Sequence, residues 1–338
     1  MTGDKPVLVG DLAPAALAGA LSRGLCFRTG PFYTRVTSGL RAFAGPLQRC
    51  YASLPVLPDS QIAHFSVTVC RRPGLRARLR PQADFLFEGV APFDPYPLSQ
   101  AFPMFEWGLN WCIATTAHQY LMLHSAVVER HGRALVLPAQ PGSGKSTLCA
   151  ALVGRGWRLL SDEFGMLRLA DGQLQPLPRA APLKNASIDV IRAFAPDLSF
   201  GPRYDKTRKG TVVHLFPPAE SLQRQGETCP PGAVVFPRYV ADAPTRLVSQ
   251  PPIAGITRLV NNSFNYLVSG EAGFVALCEL VRTAGCYELT YSRLDEAIGQ
   301  LDALLGGSGP VDESGREAGQ AGTATSQASA GPPPGMPA

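Results

Sequence analysis

A run of small and hydroxyl-bearing residues around one lysine, Gly142 to Thr147 (GSGKST), constrains the fold of this chain more than any other feature. The residues before it, Arg133 to Pro138, form an apolar run of the length of a buried strand. Those after it, Lys145 to Gly154, carry Leu148 and Leu152 about one helical turn apart. The sequence therefore predicts a strand, a glycine-rich turn and a helix in immediate succession.

A glycine-rich turn at the start of a helix suits the binding of a polyphosphate, because it places backbone N–H groups and the positive end of the helix dipole at one point. In such a turn Lys145 reaches the β- and γ-phosphates, and the Ser146 hydroxyl binds Mg²⁺. The strict pattern has a glycine where this chain has Ala139, which is tolerable if its φ angle is negative. A purely structural turn that matches the pattern by chance is the less favoured alternative. We therefore expect ATP and Mg²⁺ at a site formed by Pro141, Gly142, Ser143, Gly144, Lys145, Ser146 and Thr147.

Two acidic residues follow the next expected strand. Trp157 to Ser161 has the apolar character of a strand and is followed directly by Asp162 and Glu163. A right-handed crossover would return this strand parallel and close to the first, with its end at the edge where the glycine-rich turn lies. One carboxylate then holds Mg²⁺ and the other accepts a proton from an attacking hydroxyl, as phosphoryl transfer needs. We expect Asp162 to hold the metal together with Ser146; a solvated acidic turn is the alternative.

The overall composition argues against several classes of protein. The formal charge of +5 includes no block of five or six Lys or Arg residues, so we expect no nucleic-acid partner. The most membrane-like segment, Ala101 to Leu123, is interrupted by polar residues and is expected to be a core helix. The eight cysteines form no CxxC pair, and the N-terminus has no signal-peptide pattern. These features predict reduced thiols in a cytoplasmic protein without a membrane partner.

The chain is expected to have three parts. Residues 1–100 contain ALAGALSRG, which suggests a short helix, and HFSVTVCRR and ADFLFEG, which suggest strands, so they predict a small α+β module. Residues 101–305 form the main domain, in which GAVVFPRYV predicts a strand and the residues from Glu271 onwards predict a helix, a strand and a helix. Residues 306–338 have almost no large apolar side chains and are expected to be disordered.

The residues just before the glycine-rich turn extend the pattern. Leu123 to Glu129 predicts a strand that forms a hairpin with Arg133 to Pro138. His124 before such a hairpin, followed by PAQPGSGKST and GWRLLSDEF, resembles the HPr kinase/phosphorylase family, and more specifically the HprK-related kinase A group of bacterial proteins. The resemblance extends to about Leu305 and includes EWGLNWCIA, PLKNASIDVI and TRKGTVVHLFPP.

This resemblance implies an α/β fold with the P-loop kinase core shared by the HPr kinases and the phosphoenolpyruvate carboxykinases. It also implies transfer of the γ-phosphoryl group of ATP to a serine or threonine of a small acceptor protein or peptide, because the parent family phosphorylates a serine on a small carrier protein. By the same resemblance, Lys145 and Ser146 take the phosphate and metal roles. Asp162 and Glu163 align with the parent's consecutive aspartates, and His124 aligns with its active-site histidine.

One part of the family pattern is missing from this sequence. The parent's His-Leu-Glu-Ile-Arg-Gly run, which supplies an acidic metal contact and shapes the phosphorolysis site, is absent, so reverse phosphorylase activity is not expected. In its place are Lys184 in PLKNAS and the basic cluster GPRYDKTRKG. That cluster is either a mobile loop that neutralises γ-phosphate charge or a solvated turn. In the first case Lys184 and Arg208 are the candidate catalytic residues.

Three functions remain open on the sequence alone: a kinase for a hydroxyl of a small protein or peptide, a kinase for a small-molecule hydroxyl, and a nucleotide-binding regulatory module without catalysis. The presence of both Asp162 and Glu163 argues against the regulatory module, since a protein that only binds a nucleotide needs no base. The sequence does not decide between the two kinases, nor whether the chain forms a homo-oligomer.

Overall fold

The computed structural model describes residues 6–74, 79–140 and 142–306. The N-terminal part contains the helices α1 (Pro14–Arg23) and α2 (Arg41–Cys50) and the strands β1 (Leu25–Thr29), β2 (Phe32–Ser38), β3 (Phe65–Arg71), β4 (Gln82–Phe87) and β5 (Tyr96–Pro97). These strands lie side by side in chain order and form one sheet. β2 and β3 are parallel, and the other neighbours are antiparallel.

Local sequence explains several of these N-terminal elements. α1 begins at Pro14, whose fixed φ suits the first helical position, and ends before Gly24, which has a φ of 107°. In β3 the residues from Phe65 to Val69 are alternately buried and more exposed, as a strand with one buried face requires. The predicted helix and both predicted strands are therefore confirmed. The β1–β2 hairpin and α2 are elements that the sequence analysis does not identify.

The apolar segment that begins at Ala101 forms a shorter helix than predicted. α3 (Ala101–Thr116) stops before Ala117, and Tyr120 to Leu123 belong to a strand. The prediction of a helix as far as Leu123 is wrong for Tyr120 to Leu123, because these residues pair with the segment from Gly165 to Arg168 in the central sheet. Within the described residues, no helix combines the length and the hydropathy needed to cross a bilayer. The four apolar residues predicted to pack in the core are at most 1% exposed: Phe105, Leu109, Cys112 and Ile113.

The strands that follow form two further sheets. They are β6 (Tyr120–Arg130), β7 (Arg133–Pro138), β8 (Arg158–Ser161), β9 (Phe164–Arg168), β10 (Leu174–Gln175), β11 (Ala181–Lys184), β12 (Phe200–Thr207), β13 (Gly210–Leu215), β14 (Pro231–Tyr239), β15 (Arg246–Ser249) and β16 (Cys286–Tyr291). The central sheet has the order β10-β9-β6-β7-β14-β16-β15, with β8 also paired to β6. The third sheet has the order β11-β13-β12 and is antiparallel.

β6 organises the part of the central sheet that carries the glycine-rich turn. It forms the predicted hairpin with β7 and is antiparallel to β8 as well, so β7 and β8 run in the same direction. β8 is thus parallel and close to β7, as predicted, although β6 lies between the two strands. Ser125 of β6 pairs with Pro138, and Val127 pairs with Ser161. The ends of β7 and β8 therefore reach the same edge of the sheet, as predicted.

Helices cover both faces of the central sheet, which makes the molecule a mixed α/β protein with several sheets. The remaining helices are α4 (Lys145–Gly154), α5 (Ala186–Phe194), α6 (Ala219–Gln223), α7 (Pro252–Asn261), α8 (Tyr266–Ala284) and α9 (Leu294–Leu305). Leu148 of α4 and Leu301 of α9 are buried against one face, and Leu259 of α7 and Leu277 of α8 against the other. The predicted helix, strand and helix at the end of the domain correspond to α8, β16 and α9.

The N-terminal sheet packs directly on the rest of the chain. Met122, Phe164 and Phe216 belong to the same buried apolar cluster as Phe27 and Phe105. The module predicted for residues 1–100 therefore shares core contacts with the strands that lead to the candidate site. Apart from Gly306, the segment predicted to be disordered, residues 306–338, lies outside the described residues.

Candidate functional site

The glycine-rich turn joins the end of β7 to the start of α4 in a conformation that requires glycine. Gly142 and Gly144 have φ angles of 89° and 90°, which residues with a side chain rarely adopt. Ala139 is buried and does not have a positive φ, as expected for an alanine at a position where the strict pattern has glycine. α4 begins at Lys145, directly after Gly144. Pro141, which belongs to the predicted site, lies outside the described residues.

Two tyrosines at the ends of β14 and β16 hold the turn from its other side. The Tyr291 hydroxyl donates a hydrogen bond to the Gly144 carbonyl at 3.3 Å, and the Tyr239 N–H donates to the Ser143 carbonyl at 3.0 Å. A Cβ atom at Gly144 would lie 2.6 Å from the Tyr291 hydroxyl, so no larger residue fits without a shift. The sequence analysis does not identify these tyrosines, since 147 residues separate Tyr291 from Gly144 and no local motif marks them.

Lys145 connects the turn to the acidic pair. It is buried, and its ammonium group donates a hydrogen bond to the Asp162 backbone carbonyl at 2.5 Å. Ser146 and Thr147 complete the first turn of α4, where backbone N–H groups are left without helical partners. The lysine and the hydroxyls of the predicted nucleotide site therefore lie at the positive end of a helix and beside the predicted carboxylates.

The Asp162 side chain is buried beside the side chains of Ser146 and Cys149. The residue is 4% exposed, and within the described part of the chain neither carboxylate oxygen makes a hydrogen bond of ordinary geometry. Burial raises the pKa of Asp162, whereas Lys145 and the nearby Ser146 hydroxyl lower it. A buried carboxylate in this situation is stabilised by any cation that reaches it.

Glu163 occupies a more open position beside His124. Both carboxylates lie in the two-residue break between β8 and β9, and His124 of β6 pairs with Phe164 next to that break. The Glu163 side chain is 33% exposed, and its Oε1 lies 3.9 Å from Nε2 of His124. Burial and the nearby Lys145 lower the pKa of His124, although Glu163 opposes them. The imidazole is therefore neutral at pH 7.

Lys184, at the end of β11, belongs to the same group of charges. Burial and the neighbouring Lys209 lower the pKa of Lys184, and the carboxylates of Glu163 and Asp162 oppose that change. In residues 6–74, 79–140 and 142–306, none of Lys145, Lys184 and Lys209 forms an ion pair with a carboxylate at 4.0 Å or less. The site therefore contains ammonium groups that no carboxylate neutralises by direct contact.

Arg208, another predicted site residue, contacts residues before α3. Its guanidinium lies 4.8 Å from the centre of the Tyr96 ring and 3.8 Å from the Asp94 carboxylate, both in the N-terminal part. The next residue, Lys209, is the one whose charge lowers the pKa of His124 and Lys184. The sequence identifies the whole basic turn but cannot show which of its side chains lies near His124 and Lys184.

The loop after α7 forms a further wall of the site that the sequence analysis assigns to scaffold. The Asn262 carbonyl accepts the His124 N–H at 2.5 Å. The ring of Phe264 lies 5.6 Å from that of His124 and 4.9 Å from that of Phe164. Phe264 is nevertheless 46% exposed. No motif in this loop predicts these contacts, because they depend on the docking of the loop against β6.

The residues present fit a magnesium ion that is held largely by other ligands. No group of three or more His, Cys, Asp and Glu side chains that could hold a metal occurs among the described residues. Mg²⁺ does not require such a cage, because it retains several waters and binds substrate phosphates and one or two protein carboxylates. The buried Asp162 carboxylate and the Ser146 hydroxyl beside it supply oxygen ligands of the required kind.

Comparison with known proteins finds no family model and no curated protein that matches this chain. The interpretation of the site therefore rests on the residues and distances described above.

Proposed function

We propose that this protein is an ATP-dependent kinase that transfers the γ-phosphoryl group to a hydroxyl, with the P-loop core of the HPr kinase type. The observation that supports this most strongly is the contact between the two halves of the site, in which the Lys145 ammonium reaches the Asp162 backbone at 2.5 Å. A phosphate-binding turn and an acidic pair are thereby adjacent, although 17 residues separate them along the chain. Phosphoryl transfer needs both elements in one place.

The nucleotide phosphates are assigned to the turn and the first residues of α4. The positive φ angles of Gly142 and Gly144 turn the chain into the helix, whose N-terminal N–H groups and dipole attract anions. Lys145 adds a buried positive charge at the same point. In the proposed complex this ammonium moves from the Asp162 carbonyl to the β- and γ-phosphates.

Ser146 and Asp162 are assigned to Mg²⁺. When bound, the ion neutralises phosphate charge and orients the phosphoryl group. Burial of the Asp162 carboxylate keeps it away from bulk water, and the adjacent Lys145 favours its ionised form. These two residues therefore hold oxygen ligands ready beside the phosphates.

Glu163 is assigned to the acceptor hydroxyl, since it is the more exposed of the two carboxylates. In the proposed step the hydroxyl proton moves to the Glu163 carboxylate and the hydroxyl oxygen bonds to the γ-phosphorus. The bond from that phosphorus to the bridging oxygen breaks and leaves ADP. His124 lies beside this carboxylate, 3.9 Å from it, and Lys184 is assigned to neutralise charge on the transferred group.

The acceptor is proposed to be a serine or threonine of a small protein or peptide. The cavity lined by Asp162 and Glu163 encloses about 20 Å³. Small-molecule sites typically enclose about 300–1,000 Å³. A hydroxyl presented from outside on a peptide reaches an exposed carboxylate such as Glu163 without a deep pocket. A small-molecule acceptor is the alternative that the same chemistry would serve.

A labelled-ATP experiment tests the proposal. The full chain is incubated with γ-labelled ATP and Mg²⁺ and with Ser/Thr peptide mixtures, and basal release of labelled phosphate is measured in parallel. We expect titration calorimetry to show that Lys145→Ala weakens ATP·Mg²⁺ binding by about 10-fold or more, as loss of a charge-assisted phosphate contact implies. Equal affinity of wild type and variant would remove the nucleotide assignment. ATP binding without label transfer or hydrolysis would favour a regulatory module.

A further inference from the structure

The basic turn between β12 and β13 is tied to the strand that carries Lys184. Within the turn, the Thr207 hydroxyl donates to the Gly210 carbonyl at 2.7 Å and accepts the Lys209 N–H at 3.1 Å. The next residue, Thr211, donates its N–H to the Asn185 side chain at 3.2 Å. Because Asn185 directly follows Lys184, the turn has a defined position relative to the ammonium group of that lysine.

The two cations at the tip of the turn lie against two aromatic rings, those of Tyr96 in β5 and Trp107 in α3. Arg208 lies 4.8 Å from the Tyr96 ring centre, and the Lys209 ammonium lies 5.5 Å from the ring centre of Trp107 in α3. The two rings also contact each other, with centres 5.5 Å apart. Arg208 has Asp94 as a further partner at 3.8 Å, whereas Lys209 has no carboxylate partner among the described residues. Each of the two cations therefore has its own aromatic ring.

We propose that Lys209 is a further phosphate-contacting residue of this site, and that Trp107 is the positioning residue that holds it there. The inference rests on the proposed kinase function and names a residue that the sequence analysis did not select. Asn110 of α3, one helical turn after Trp107, and Pro182 of β11, two residues before Lys184, line one cavity with Asp162 and Glu163. The ammonium groups of Lys145, Lys184 and Lys209 lie close enough to His124 for each of them to lower its pKa. Such a group of like charges is unfavourable without an anion and favourable with one.

The position of Lys209 points to the terminal phosphate. Lys145 starts α4 and is directly bonded to the backbone of Asp162, so it occupies the end of the site nearest to the turn. Lys209 lies instead against Trp107 of α3, the helix whose Asn110 lines the cavity with Glu163, where the acceptor hydroxyl is expected. A cation there contacts the γ-phosphate of ATP and has no partner in ADP.

Calorimetric titration with ATP·Mg²⁺ and with ADP·Mg²⁺ tests this assignment without a need for an identified acceptor. We expect Lys209→Met to weaken ATP binding by about 10-fold, as for a lost charge-assisted contact, and to leave ADP binding unchanged. Lys206→Met is the matched control, because it removes the same charge from an exposed residue of β12 three positions earlier in the chain. It should change neither affinity.

Substitution of Trp107 tests the positioning role. Trp107→Leu removes the ring and should weaken ATP binding roughly two- to fivefold, the scale of one exposed cation–π contact. Trp107→Phe keeps a ring and should restore most of that loss. Trp111→Leu, one helical turn further along α3, is the control for loss of an indole and should leave ATP binding unchanged. In a Lys209→Met background, Trp107→Leu should have no further effect.

The outcomes separate this inference from the proposed function. A wild-type chain that binds neither nucleotide would overturn both. A wild-type chain that binds ATP, together with a Lys209→Met variant that keeps the wild-type ratio of ATP to ADP affinity, would overturn the role of Lys209 alone. Additive losses in the Trp107→Leu and Lys209→Met double variant would show that Trp107 acts on general stability, and would overturn its positioning role.

Discussion

Replacement of Gly144 by alanine is the most direct test of the geometry of the turn. An alanine at a φ of 90° is strained by about 1–2 kcal/mol. Its Cβ would also lie 2.6 Å from the Tyr291 hydroxyl and 3.1 Å from the Tyr239 Cβ. Displacement of well-packed neighbours costs about 1–3 kcal/mol more. We therefore expect Gly144→Ala to lower the free energy of unfolding by about 2–5 kcal/mol in total.

Gly142→Ala is the matched control for backbone strain. Its φ is 89°, but no described atom lies within 4 Å of the added Cβ. The difference in stability between the two variants therefore measures the steric clash of the added Cβ with the two tyrosines. In thermal unfolding without nucleotide, Gly144→Ala should melt about 2–6 °C below Gly142→Ala, since 1 kcal/mol corresponds to about 2 °C in a chain of this size.

A second-site change tests the cause of that difference. Tyr291→Phe removes the hydroxyl oxygen, the closest atom to the added Cβ, and leaves the ring carbon that carries it at 3.5 Å. It should therefore recover part of the melting temperature lost by Gly144→Ala, although it lowers that of the wild type by the loss of one hydrogen bond. Equal melting temperatures for the two alanine variants, or no recovery with Tyr291→Phe, would refute the argument.

Three further predictions concern chemistry, pH and the C-terminal segment. Asp162→Asn should lower phosphoryl transfer or basal ATP hydrolysis by about 100-fold or more, with a far smaller change in the calorimetric affinity for ATP; undiminished turnover would refute its role. Burial lowers the pKa of the fully buried His214 to about 3, so the unfolded chain takes up a proton there below about pH 6.5 and the folded chain does not. Urea unfolding at several pH values should therefore show a loss of stability of up to about 1.4 kcal/mol per pH unit as the pH falls from about 6.5 to 3, and His214→Leu should remove this contribution and make the slope shallower than in the wild type. Truncation after Gly306 should leave the melting temperature and ATP affinity unchanged, because residues 307–338 contain almost no large apolar side chains; a drop of more than about 3 °C would contradict this.

Elements whose signals are local were predictable from the sequence. The strand from Arg133 to Pro138 and the helix from Lys145 to Gly154 have the predicted bounds, because an apolar run, a pair of glycines and a leucine spacing act over a few residues. The contact between the turn and the acidic pair was also predictable, since both lie at the ends of strands that run in the same direction. The helix from Ala101 was predicted too long, because pairing with β9 recruits Tyr120 to Leu123 into β6.

Features that depend on partners distant in the chain were decided only by the tertiary structure. The insertion of β6 between β7 and β8, the contact of Tyr291 with Gly144, and the docking of Phe264 on His124 each join segments that carry no shared pattern. Arg208 and Lys209 are adjacent in sequence and alike in charge, yet Arg208 lies against Tyr96 and Asp94 whereas Lys209 lies against Trp107. Local backbone preference is encoded within a few residues, whereas side-chain direction at a surface turn depends on what packs against it.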